Sequence, residues 1–111
     1  MVEETLVSVL KSNSINAYPS VKKEGDNSCV VYQLVSDVPF RSHSSVALWK
    51  AHYLLSVYSA SYKDVKALAS SVISVLDGNK TDFVTAWITS VGDVADDSSL
   101  SRVDIDLYVL H

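Results

Sequence analysis

Few side chains in this sequence have types and spacing that could do chemistry. Asp104 and Asp106 stand two apart in a run that alternates polar and apolar residues. On a strand they share one face, about 7 Å apart. Paired carboxylates at such distances can divide acid and base roles, but a solvated strand face shows the same spacing, and that is the plainer reading. His43, His52 and His111 form no helix-spaced or strand-spaced pair, so a metal site would need ligands from distant segments. Ser44 beside His43 is no triad, because the base must be placed by the fold and oriented by a third group. Cys29 sits in an apolar run and reads as an inert core thiol. Three glycines in the whole chain leave no glycine-rich phosphate loop. Trp49, Tyr53, Tyr58 and Trp87 lack the interleaved Arg and Lys of a single-strand stacking platform. The sequence therefore offers no catalytic residue, no cofactor site and no metal site, and an enzyme is not expected.

Composition points the same way. The 111 residues make one domain, 1–111, with a core that buries roughly two-thirds of the unfolded surface. An apolar fraction of 48% argues against disorder. A net charge of −4, with basic residues scattered, disfavours non-specific DNA binding. One cysteine excludes an internal disulfide and fits a reducing compartment. Glu3 and Glu4 stand where a signal peptide would be basic, and no apolar run reaches the length of a membrane span. The triplet Asn79-Lys80-Thr81 matches a glycosylation acceptor and carries little weight without a secretory signal.

The elements that would hold these residues follow from periodicity. Val2, Leu6, Val9 and Leu10 make one helical stripe over 2–12, with Glu3 and Glu4 at its start and Lys11 at its end. Tyr18 to Val21 reads as a short edge strand and Lys22 to Asn27 as a polar turn. Ser28 to Ser36 is a strand, with Cys29, Val31, Gln33 and Val35 on one face and Val30, Tyr32 and Leu34 on the other. Asp37 to Ser45 reads as the longest irregular stretch, a candidate docking loop built on Pro39, Phe40, Arg41 and His43. Val46 to Ser59 is a strand of unusual length. Ser61-Tyr62-Lys63-Asp64 is a capping box that opens a helix over Tyr62 to Asp77, and Gly78 stops it. Phe83 to Val91 is a strand that would put Phe83, Trp87 and Val91 on one face. Gly92 to Ser99, with Asp93, Asp96 and Asp97, reads as an acidic loop. Leu100 to Leu110 closes the chain, with Val103, Ile105, Leu107 and Val109 on one face. The expected fold is α+β, in the order α-β-(β)-β-α-β-β, with a mainly antiparallel sheet and the second helix across one face.

Leu48, Leu54, Tyr58 and Val30 are surplus apolar groups that a second subunit could bury. The alternative is that the first helix covers them.

In this order the segments resemble the small tail-terminator, or tail-completion, proteins of long-tailed bacteriophages. The matching parts are Leu55-Ser56-Val57-Tyr58-Ser59, the helix from Tyr62 to Val72, Val75-Leu76-Asp77-Gly78 and the closing Arg102 to Val109. The resemblance implies a structural virion protein, made in the host cytoplasm, that forms a hexameric ring on the tail. Such a ring caps the tail tube and joins it to the head connector. It implies no catalytic residues, no cofactor and no membrane. Its partners would be other copies of itself, the major tail tube protein and the head-closure protein. Genomic DNA would pass without specific binding, and six copies at −4 each, with acidic loops, would keep the bore from gripping it. The Asp37–Ser45 loop departs from the family in having few glycines and little charge. Two other functions stay open: a dimeric ligand-binding domain whose apolar strand faces line a pocket, and a small hydrolase using Asp104, Asp106 or His52.

Overall fold

The computed structural model describes residues 2–19, 28–41, 46–83, 85–94 and 100–111. The chain runs α1 (Val2–Ser12), β1 (Ala17–Pro19), β2 (Cys29–Arg41), β3 (Val46–Ser59), α2 (Tyr62–Leu76), β4 (Thr85–Val94) and β5 (Ser101–Leu110). The five strands form one sheet in the order β1-β2-β3-β5-β4. Only the β1–β2 pair is parallel. Because β5 inserts between β3 and β4, those two run parallel, and α2 carries the chain across β5 from one to the other.

Both helices pack on one face of the sheet. Leu6 and Leu10 of α1 and Val65, Ala69, Val72 and Leu76 of α2 are buried. They meet Tyr53, Leu55 and Val57 of β3 and Val103, Ile105, Leu107 and Val109 of β5 in a single core. The α2 boundaries follow from local chemistry. Ser61 holds an extended backbone and its hydroxyl accepts the Asp64 N–H at 3.1 Å. Beyond the helix, Gly78 takes φ +72°, the left-handed conformation that a side chain would resist. The fold class, the element order, both helices and the long strand are as the sequence led us to expect.

Several details differ, each for a physical reason. Asp37 to Arg41 is not irregular; it continues β2 opposite β3 as far as the Arg41–Val46 pair. Pro39, which reads as a breaker, is tolerated because its missing N–H lies on the outer side of the strand, where no ladder bond is lost. Gly92, Asp93 and Val94 likewise continue β4, paired with Asp104, Val103 and Arg102. Pairing to β5 overrides their weak strand propensity. Phe83 precedes β4 and is buried in the core. The expected shared face of Trp87 and Val91 fails because the register shifts between Ile88 and Ser90. That extra residue, Thr89, turns Trp87 and Val91 to opposite faces. A similar shift at Val35 interrupts the alternation of β2.

Candidate functional site

The face of the sheet away from the helices carries the polar and aromatic residues of four adjacent strands. Cross-strand pairing places Leu54 between Gln33 and Asp106, His52 between Ser36 and Tyr108, and Tyr58 between Cys29 and Arg102. Antiparallel partners share a face, so these residues form one surface. Its centre is a stack. The His52 ring lies 4.5 Å from that of Tyr108, and Trp87 stacks on Tyr108 from the other side at 5.7 Å. Lys50 sits over the same tyrosine ring at 5.3 Å. His52 Nε2 lies 2.8 Å from the Asp106 carboxylate. Asp104 accepts two bonds from Arg102, at 2.8 and 3.1 Å.

These pairings give each candidate side chain a neighbour. Asp104 and Asp106 share a face, yet each carboxylate is held by its own cation or imidazole partner, and the two are not joined as an acid–base couple. Among the described residues no group of three His, Cys, Asp or Glu side chains could hold a metal ion. Cys29 carries a buried thiol. His111 reaches Asp37 at 3.0 Å on the helix side of the sheet. Asn79 is absorbed in a turn: its side chain donates to the Val75 carbonyl and Asp82 and accepts the Thr81 and Asp82 amides.

Of the expected contact residues, Leu48, Leu54 and Tyr58 lie partly exposed on the open face. Val30 does not join them: it is fully buried in the core beneath the helices and is not surplus. Pro39, Phe40 and Arg41 belong to β2, and His43 lies outside the described residues. Asp93 belongs to β4 on the helix side, where it pairs with Lys66 and accepts a bond from the Tyr62 hydroxyl at 3.1 Å. Hydrogen bonding to Lys66 holds the Asp93 carboxyl below its ordinary value and the Lys66 ammonium above its own. Asp96 and Asp97 lie outside the described residues. Burial, with the Glu3 carboxylate beside it, pushes the Tyr53 hydroxyl well above the usual phenol range. An open groove lined by Glu3, Glu4, Val7, Ser8, Lys11 and Tyr32 runs between α1 and β2. It is not the strand-lined pocket a ligand-binding domain would need.

The sheet edges complete the surface. Trp49 and His111 exchange both backbone bonds, at 2.8 and 2.9 Å, so the polar backbone of Trp49 faces β5. Backbone direction alternates along a strand. Leu48, Lys50, His52 and Leu54 therefore face β2, and their partners Phe40, Val38, Ser36 and Gln33 face back. The intervening Leu34, Asp37 and Pro39 point outward. The same count along β5 turns Ala86, Ile88, Val91 and Asp93 of β4 outward. Observed bonds agree. The outward Val30 N–H meets the Asn16 carbonyl at 2.8 Å, ahead of β1. Ala86 bonds outward to Gly78 and Asn79, and the Ile88 N–H donates to the Asp77 carboxylate at 2.9 Å. Each edge strand is thus capped over one half. Among the described residues nothing pairs the outward backbone of Leu34 and Asp37, or of Val91 and Asp93. Leu34, Val35, Val38 and Val91 are also among the exposed large apolar side chains. Sequence periodicity could not find these edges, because it carries no strand order.

No known family profile matches the chain, and no curated protein matches it. Among solved structures, a chain in the virion of a native gene transfer agent particle has a similar fold. The TM-score is 0.64 at 16% identity, covering 98% of this chain and 90% of that one.

Proposed function

We propose that this protein is a structural subunit of a phage-like virion, a tail terminator that caps the tail tube and meets the head connector. The observation that carries the reading is the likeness in fold, over nearly the full length of both chains, to a component of a gene transfer agent virion. The bacteriophage tail-terminator resemblance of the strand–helix–strand segments supports the finer assignment. The open sheet face is the second support. Its carboxylates are held by neighbouring side chains, Asp104 by Arg102 and Asp106 by His52, and beside them it presents the partly exposed Leu48, Leu54 and Tyr58, which suits contact with another subunit.

In this reading copies of the chain form a ring, hexameric in the assembled tail, and the protein resides in the virion. Leu48, Leu54 and Tyr58 on the open face are contacts made on assembly. The ring's two ends differ, one for the tube and one for the head, as cyclic symmetry requires. DNA passes through without specific binding.

Mixing the purified protein with bare tail tubes tests this by negative-stain imaging. Capped tubes of arrested length are the expected result. Tubes that keep growing at the same rate, with no density added to their ends, would refute the terminator role.

A further inference from the structure

We propose that copies of this chain join head to tail by pairing the exposed half of β4 with the exposed half of β2 in the next copy. The inference names the contact by which the proposed ring would close, yet it rests on backbone pairing and stands apart from the tail assignment.

The two half-edges fit one another in four respects. They lie on opposite sides of the sheet, so one copy can use both at once, giving a heterologous contact that propagates. They run in opposite directions, because β2 and β4 are antiparallel within the sheet, so β4 of one copy meets β2 of the next as an antiparallel pair. Their outward residues all carry side chains on the helix side: Asp37 pairs with Ala51, and Val91 with Ile105, both core positions. A continuous sheet therefore keeps every helix on one face. Lastly, the two caps demand the same offset. β1 blocks Val30 to Tyr32 of β2, and residues 77–79 block the first half of β4. Setting Val91 opposite Asp37 of the next copy clears both, and β1 of that copy then comes to lie just past Val94. This register also keeps Asp93 away from Asp37, a like-charge pairing that antiparallel strands disfavour.

The offset has a geometric consequence. Val91 lies level with Leu55 of β3, and Asp37 level with Ala51, four residues away. At about 3.3 Å per residue that is a shift of about 13 Å. Each copy adds four strands at the junction, about 19 Å at roughly 4.8 Å spacing. The strands then tilt by about 35° from the ring axis, at the low end of the roughly 35–45° that closed barrels adopt. An offset of this size is compatible with closure into a ring in which every copy turns its helices to the same side.

Val91→Pro tests the contact with little harm to the fold. The Val91 N–H points outward, so proline removes no ladder bond within the chain but blocks the edge. By sedimentation, the unmodified protein at about millimolar concentration should form oligomers, and Val91→Pro should stay monomeric with an unchanged circular dichroism spectrum. Cysteines read the register directly, since paired Cα atoms about 5.5 Å apart suit a disulfide. Mixed Val91→Cys and Asp37→Cys proteins should give oxidised heterodimers, and neither alone should give homodimers. Homodimers of Val91→Cys, a wild-type monomer at millimolar concentration, or normal assembly by Val91→Pro would each overturn the proposal. Rings that ignore tail tubes would instead overturn the tail reading. Capping of tubes by Val91→Pro would do the reverse.

Discussion

Leu54 and Leu55 are neighbours on β3 and face opposite sides of the sheet, and the proposed role of the open face depends on that difference. Leu55 is fully buried between Tyr32 and Ile105. Leu55→Ala leaves a cavity walled by strands and helices that cannot collapse, and the loss should be about 3 kcal/mol. Leu54 is partly exposed between Gln33 and Asp106. Leu54→Ala forfeits only part of a leucine's transfer energy and leaves a gap that water fills, so the cost should be about 1 kcal/mol. With a urea slope of about 1.5 kcal/mol/M, the midpoint should fall by about 2 M for Leu55→Ala and by about 0.7 M for Leu54→Ala. Equilibrium unfolding followed by tryptophan fluorescence and by circular dichroism measures both. Leu54→Lys should also fold, its stem lying along the sheet with the ammonium in water, and it should impair assembly with the tail. A Leu54→Ala loss equal to that of Leu55→Ala would refute the reasoning, since the face would then be core.

Three further outcomes are expected. Ser61→Ala removes the hydroxyl that caps α2 through the Asp64 N–H and should cost about 1 kcal/mol in urea unfolding. Gly78→Ala meets no atom within 4 Å but must hold φ +72°, so the loss should be about 1 kcal/mol, all of it backbone strain. Asp93, with its carboxyl lowered chiefly by hydrogen bonding to Lys66, should titrate by NMR below an ordinary aspartate. Lys66→Ala should return it to the usual range. Because the folded value is the lower one, the stability this carboxylate contributes is present above the unfolded aspartate pKa and fades as pH falls through the folded value.

Much of the fold was legible in the residues. The stripe and caps of α2 are local, because a hydroxyl and a glycine at set spacing act on the nearest turn whatever surrounds them. The alternation of β5 was legible because one of its faces is buried and the other wet. Asp37 to Arg41 and Gly92 to Val94 were not. Their proline, glycine and aspartates mark turns in isolation, whereas pairing to a neighbouring strand makes them strand.

By itself the sequence determined the α+β class, both helices and the long strand. Each of these depends on periodicity or on contacts within one turn. Tertiary structure alone decided which residues share a surface. The extra residues at Val35 and Thr89 reverse every side chain beyond them, and no local signal marks a bulge. The order β1-β2-β3-β5-β4 brought His52, Tyr108 and Trp87 into one stack and took Asp93 to Lys66 on the other face. That same order left half of the outer side of β2 and half of β4 without a strand partner among the described residues, because backbone hydrogen bonds are made between strands and are written in none of them singly.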